Sequence, residues 1–463
     1  MGCFEMSKKY RKIERQIAEF LEKYPYLRQI SRHLYLRINY HIHGRRGFSC
    51  DLLEGASIKG ILNSDSNLEA FFGYYDKSPW SFDSRYYLVH VFDRREKNRV
   101  KIAVYNCEKD EIEFIDKTPA FNYQQGAMLR WLNQKSYQCI YNTVEDENLV
   151  AKIRDAVSGK EVKTVPMPIQ TINPEGTEAL TLNYKRLAKL RPEYGYSINV
   201  RNFSEDMSYE EDGIWKIDLK TGRSELIISL SHLISFSHNK TMDNAQHKIN
   251  HIVYSPSGKR FAFMHRWIGP YGKHSRLFTA NTDGSELYCL ASGSYKNSSR
   301  IFTANTDGSD FYSSADDKLV SHYFWCDDKY LIAAARKTHV WNKYFLFKDK
   351  SADFDIIGDG VLDIYGDGHP HVHYSKKWIV TDTYPNKARV RKLLLYNLKT
   401  NKLLTVGVFF APLKYDKAYR CDLHPRWSPD GTKISIDSAH EGFRNSYMID
   451  VTKIISEGGI LLG

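Results

Sequence analysis

Four histidines occupy matching places in four similar segments: His251 in HIVYSPSGKRFAF, His322 in HYFWCDDKYLIA, His369 in HPHVHYSKKWIV and His424 in HPRWSPDGTKISI. Three residues after each comes an aromatic residue or valine (Tyr254, Trp325, Val372, Trp427), then a turn and a second apolar run. Imidazole is a good ligand for zinc, manganese or iron and the usual general base near neutral pH, so converging rings would make a site. The four are 47 to 71 residues apart, so they can meet only if one strand register repeats around a closed structure. His369, His371 and His373 alternate along a run that reads as a strand, and period two puts all three on one face. Cys421, three residues before His424, and Cys326, four after His322, could add thiolate and would favour zinc. In the alternative, a histidine opening a strand caps a turn or bonds within its own sheet and holds no metal.

Two further groups carry chemistry. His265 and Arg266, in FMHRW, pair a general base with a cation able to neutralise a carboxylate; the same pair could be a sheet-edge surface contact. In LNYKRLAKLRPEYGYS, Tyr184, Arg186, Arg191, Tyr194 and Tyr196 set phenols among cations, suited to gripping an anionic sugar and moving a proton, or else to packing a compact loop. There is no GxSxG elbow, Walker loop or GxGxxG turn, which excludes propeller-capped serine hydrolases and phosphate-loop enzymes.

The elements that must position these residues are strands. Aromatic residues make up 14% of the 463-residue chain, a composition that favours sheets over helix bundles. From about residue 65, short apolar runs alternate with SPDG-like and TG turns at blade-length intervals. Repeat anchors at Trp80, Trp131, Ile172, Tyr254, Trp325, Val372 and Trp427 predict an all-β, seven-bladed β-propeller over 65–463. SRLFTANTDGSELY recurs 24 residues on as SRIFTANTDGSDFY, a duplicated hairpin that lengthens one interval; LNYKRLAKLRPEYGY and SEDMSYEEDG lengthen another. Residues 1–64 read as an α-helical extension, with one helix over 8–24 and a second apolar-periodic stretch through Leu27, Ile30, Leu34 and Leu36. That extension either packs on the propeller or touches a membrane surface through a basic face.

A net charge of +11 favours an anionic partner, but the scattered Lys and Arg match no nucleic-acid module, so no nucleic acid is expected. Seven cysteines, odd in number and without a CxxC pair, point to a reducing compartment. With no apolar signal core in MGCFEMSKKYRK, the expected place is the cytoplasm, peripheral to the inner membrane if the extension binds it; the expected state is a monomer.

YSPSGKRFAF and WSPDGTKISI resemble blade phrases of TolB-like propellers. GYYDKSPW, QQGAMLRW, RPEYGY, VSHYFW, GDGHPH, TDTYP and RCDLHPRWSPDG are similar to landmarks of the propeller-fold polysaccharide lyases, oligogalacturonate lyase and the ulvan lyases, over about residues 70–453. Likeness to oligogalacturonate lyase implies manganese held by His322, His369 and His371, with His251 as base or further ligand; the glutamine ligand of that family falls near Gly366 and is missing. Likeness to ulvan lyases implies a structural zinc on His251, His322, His369, His424 and Cys421, with Tyr194, Tyr196 and Arg266 nearer the chemistry. Lys77 and Arg426, inside these landmarks, join Arg186 and Arg191 as candidates for binding the substrate. Both versions imply β-elimination on a uronic-acid glycan, with zinc or manganese as cofactor and a possible link to capsule or exopolysaccharide synthesis. The alternative function is a non-catalytic TolB-like scaffold in a glycan-assembly complex with a structural metal.

Overall fold

The strands form sheets that each bury one edge towards a common centre. In the computed structural model, which describes residues 25–45, 47–63, 67–96, 98–294, 301–303, 312–314, 319–337 and 340–456, seven antiparallel sheets follow one another around a ring. They are blade 1 (68–118), blade 2 (130–165), blade 3 (171–229), blade 4 (246–294), blade 5 (319–357), blade 6 (371–410) and blade 7 (426–450). The architecture is the seven-bladed propeller that the repeats predict. The expected helix over 8–24 lies outside the described residues, and the second stretch is a helix, Pro25–His43.

The boundary at residue 64 needs correction. Cys50–Leu52 pairs with the outer strand of blade 6, and Ser57–Gly60 is the outermost strand of blade 7, with Ser57 opposite Asp450 and Gly60 opposite Tyr447. The propeller therefore starts near Cys50. Strands of three and four residues show no periodicity of their own; they exist because they satisfy the open edges of sheets formed by the far end of the chain. The duplicated hairpin is also resolved into two uses. Its first copy forms the third strand of blade 4 and the turn into the fourth, Gly272–Asn281 and Tyr288–Ser294. In the second, Ile301–Thr303 and Tyr312–Ser314 pair as a separate two-stranded sheet.

Adjacent blades are tied by a recurring contact. The indole N–H of Trp131 in blade 2 donates to Pro79 O at 2.8 Å, that of Trp325 in blade 5 to Val253 O at 3.2 Å, and that of Trp427 in blade 7 to His371 O at 3.3 Å. Each buried ring thus fills the space between two sheets and satisfies its one polar atom on the preceding blade.

Irregular inner strands turn this scaffold into a site. In blade 1 Phe71 pairs opposite His90 and Trp80 opposite Tyr87, so residues 72–79 face only the two intervening positions and must loop out, carrying Tyr74, Tyr75, Asp76 and Lys77 to the ring centre. In blade 4 the ladder slips between Asn250 and Val253, and His251 sits in the bulge at φ 57°. In blade 5 it slips between Val320 and His322. Blades 6 and 7 have two-residue inner strands, His371–Val372 and Arg426–Trp427, leaving His369 and His424 in the turns that lead into them.

The ring closes on Asp437 in blade 7. It accepts from the backbone N–H of Phe72 at 2.9 Å and Gly73 at 3.0 Å, from Arg426 Nη2 at 2.9 Å and from Ser446 Oγ at 3.0 Å, all buried. Asp437→Ala would take the carboxylate from the buried Arg426 guanidinium and leave two blade 1 amides without their acceptor. Urea denaturation should show a loss of about 3–5 kcal/mol; a loss below about 1 kcal/mol would mean that closure rests on the strand pairing alone.

Candidate functional site

The histidines at the four matching positions do converge. Ring centroids of His322 and His369 lie 4.1 Å apart and those of His369 and His424 4.4 Å apart, while Tyr74 and Tyr75 each have all four imidazoles within 6.4 Å. Two phenol rings from the blade 1 loop thus fill the middle of the group. Tyr75 is pinned by accepting from Tyr323 N at 2.8 Å and donating to Tyr323 O at 2.9 Å.

Hydrogen bonding sets the tautomers. His369 Nδ1 lies 2.8 Å from Asp382 Oδ1, and His424 Nδ1 lies 2.8 Å from the Gly73 carbonyl. These oxygens accept, so both Nδ1 atoms carry the proton and both Nε2 atoms keep a lone pair. Both Nε2 atoms are buried without a hydrogen-bond partner. His322 is oriented in the same way, with Nδ1 3.1 Å from Asp367 Oδ1 while Ser321 Oγ holds the other carboxylate oxygen at 2.6 Å. Asp382 also accepts from the backbone N–H of His369 at 2.9 Å and of His424 at 3.2 Å, locking blades 6 and 7 at the site. Burial, together with His369 beside it, pushes His322 down to about 4, and burial holds His424 well below the usual imidazole range. Both rings are therefore neutral at physiological pH, the form that binds metal.

A carboxylate completes the group. The potential ligand atoms of His369, Asp422 and His424 lie within 4.8 Å of one another. Asp422 is buried, which opposes ionisation, but Arg420 and Arg391 outweigh this and hold its carboxyl well below the usual carboxylate range. Arg391 Nη1 reaches Oδ1 at 2.5 Å and Arg420 Nε reaches Oδ2 at 2.6 Å. Unpartnered buried imidazole nitrogens, N–H groups anchored on carboxylate or carbonyl oxygen, and an ionised carboxylate fit a divalent cation.

His251 faces the same centre differently. Its Nε2 is 3.3 Å from Asp76 Oδ2, Asp76 in turn is paired with Lys77 at 3.1 Å, and the ring packs 4.9 Å from Tyr74. Burial lowers its pKa, leaving a neutral ring beside an ionised carboxylate. Tyr194 borders the group, its ring perpendicular to Tyr74 at 5.9 Å. Burial pushes its phenol up, but Arg420 and Arg191 more than reverse this, leaving it below the ordinary tyrosine value. Arg420 Nη2 donates to its hydroxyl at 3.0 Å, and the Arg191 guanidinium lies 4.3 Å over its ring. The segment is held by a short helix, Tyr184–Leu190, capped by Asn183, and Gly195 permits its packing, since a Cβ there would stand 2.2 Å from Ala188 N.

Several expected residues lie elsewhere. His371, on the inner strand, and His373, just past its end, do not join the group: His371 packs on Phe324 at 4.3 Å and is pushed down to about 3 by burial and Arg426, and His373 sits between Ser375 and Gly431. A common strand face gives them different depths along the axis. Cys421 packs with Tyr415 and Ala439, its thiol pushed up to about 12 by burial; its neighbour Asp422 points inward instead. His265 bonds to His247 at 2.9 Å and Arg276 at 3.4 Å inside blade 4. Arg266 is buried, and its charge acts on His251. Tyr196 stacks on Tyr184 at 4.4 Å and takes a hydrogen bond from Asn142. Arg186 is paired with Asp212 and lines a surface cavity of about 280 Å³ with Lys189, Tyr209 and Gln246. Arg426, fully buried, binds Asp437 and the carbonyls of Gly73 and Tyr74, so it holds the loop rather than a substrate. Lys77 and Arg191 are at the site. Sequence reasoning missed Asp76, Asp367, Asp382 and Asp422, although Asp367 lies in GDGHPH and Asp422 in RCDLHPRW beside residues already marked.

The seven-bladed propeller itself has structural counterparts. The chain is similar to the oligogalacturonate lyase of Vibrio parahaemolyticus at 13% identity and a TM-score of 0.57, covering 87% of this chain and 97% of that one. It is also similar to an oligogalacturonate lyase in complex with manganese, at 14% identity and a TM-score of 0.59, covering 87% and 96%. At these identities the likeness shows a shared fold. TolB from Acinetobacter baumannii aligns over 76% of each chain at 15% identity and a TM-score of 0.35. No protein-family model matches the sequence, and a search of curated proteins finds no relative.

Metal content checks the ligand assignment. Protein purified without chelator should carry a divalent ion by plasma mass spectrometry, His369→Ala and His424→Ala should lose it, and Cys421→Ser should keep it. Retention of the ion by His369→Ala would refute this set of ligands.

Proposed function

We propose that the protein is a metal-containing polysaccharide lyase that cleaves a uronic-acid glycan by β-elimination. The observation that carries this reading is the adjacency of two unpartnered imidazole nitrogens and an ionised Asp422 to a phenol gripped by two arginines. A divalent ion held by His369, His424 and Asp422, with His322 beside them, would act as a Lewis acid on the uronate carboxylate and stabilise charge that develops on it. Manganese and zinc both suit this nitrogen and oxygen set, and the exclusion of Cys421 removes the argument for zinc from thiolate.

The chain's own residues supply the proton transfers. Neutral His251 takes the C5 proton, and the cation formed is stabilised by ionised Asp76. The electron pair of the C5–H bond forms the C4–C5 double bond, and the C4–O4 bond breaks. The Tyr194 hydroxyl, made more acidic by Arg420 and Arg191, gives its proton to departing O4. Arg191, over the Tyr194 ring, and the more distant Arg266, whose charge reaches His251, add positive charge that favours an anionic substrate, in keeping with a chain of net charge +11.

The burial of all four imidazoles, none above 5% exposed, favours a second reading: a scaffold propeller whose metal is purely structural. Incubation with a panel of uronate polysaccharides, followed by the ultraviolet absorbance of the unsaturated product, separates the two. The lyase reading expects product, and a fall in kcat of about 10²–10⁴ in Tyr194→Phe with metal retained. Metal-loaded protein that yields no product on any uronate glycan would leave only the scaffold.

A further inference from the structure

The helix Pro25–His43 leaves its apolar side in solvent. Leu27, Ile30, Leu34, Ile38 and Ile42 recur every three or four residues along one stripe, and they are between 47% and 68% exposed. A helix repeat of 3.6 residues puts Leu36 and Tyr40 on the opposite side. Tyr40 stacks on Phe410 of blade 6 at 5.7 Å, so the helix rides on the propeller with its other face and holds the stripe outward. An ordinary surface helix is oriented the other way, with its apolar stripe against the core.

Charge identifies what covers the stripe. Residues 25–50 contain five arginines and three histidines and not a single Asp or Glu, in a chain where acidic residues otherwise number 55. Arg37, exposed on the helix, lies beside the stripe. A second copy of the same chain would bring like charge against like charge across such a face. A membrane surface rich in anionic lipid instead takes the apolar side chains at the level of the head groups and neutralises the arginines with phosphate. Among the described residues no helix is long and apolar enough to cross a membrane, so the contact lies along the surface.

We infer that this helix docks the propeller on an anionic lipid bilayer, through Leu27, Ile30, Leu34, Ile38 and Ile42 inserted at the interface and Arg37 beside them bound to lipid phosphate. The inference is independent of the lyase reading, since neither the helix nor Phe410 belongs to the axial site.

The test uses the full chain with vesicles of phosphatidylcholine alone and of phosphatidylcholine with phosphatidylglycerol, read by co-sedimentation. The expected result is binding to the anionic vesicles, weakened by added salt, and reduced at least about tenfold in Leu34→Glu/Ile38→Glu and several-fold in Arg37→Glu. Both variants should melt at the wild-type temperature, because the substituted side chains are exposed. Absence of binding, or equal binding to both vesicle types, would overturn the inference. So would a dimer, seen by light scattering, that Leu34→Glu/Ile38→Glu converts to monomer, or a lowered melting temperature in that variant without vesicle binding, which would mean that the preceding part of the chain covers the stripe.

Discussion

A buried imidazole that has given its one N–H away keeps a lone pair for which the protein must provide a purpose. His369 and His424 both stand in that state, with Nδ1 committed to Asp382 and to the Gly73 carbonyl and Nε2 unpartnered. Burial holds the His424 ring well below the usual imidazole range, so for it the usual escape of becoming a cation is closed. Such a lone pair suits a bound electrophile, and the ionised Asp422, held by Arg391 and Arg420, supplies the negative charge that a cation needs. Each buried carboxylate has its own compensating partners, so the centre is electrostatically arranged before any ligand arrives.

That arrangement is possible only because the ring closes. His251, His322, His369 and His424 come from four different blades, and a small opening of the ring would separate them by more than the reach of one ion. Closure depends on Ser57–Gly60 completing blade 7 and on Asp437 holding the start of the blade 1 loop. The same loop then fills the centre with Tyr74 and Tyr75. The scaffold is regular where blades pack and irregular where chemistry sits, with His251 and His424 both at positive φ, 57° and 44°. Strained backbone of that kind costs stability, and the packed sheets around it supply the rigidity that keeps it in place.

The repeat of a histidine three residues before an inner-strand anchor was legible in the sequence, and so were seven blades, because a two-residue period and turn chemistry are local properties. The acidic residues of the site were not. Asp367 and Asp422 differ in no local way from the many turn aspartates of this chain, and only their positions beside His322 and Arg420 distinguish them. The thiolate reading of Cys421 failed by one residue, since the turn before Arg426 directs Asp422 rather than its neighbour to the centre. His371 failed for another reason: residues that share a strand face still lie at different heights along the propeller axis.

The sequence by itself determined the fold class, the number of blades and the matching strand positions of four histidines, since each follows from a pattern repeated within short segments. Only the tertiary structure decided which groups are ionised, which nitrogens are bare and which strands close the ring. Those properties depend on burial and on partners up to several hundred residues distant, as between Asp437 and Phe72, where sequence spacing carries no information about contact.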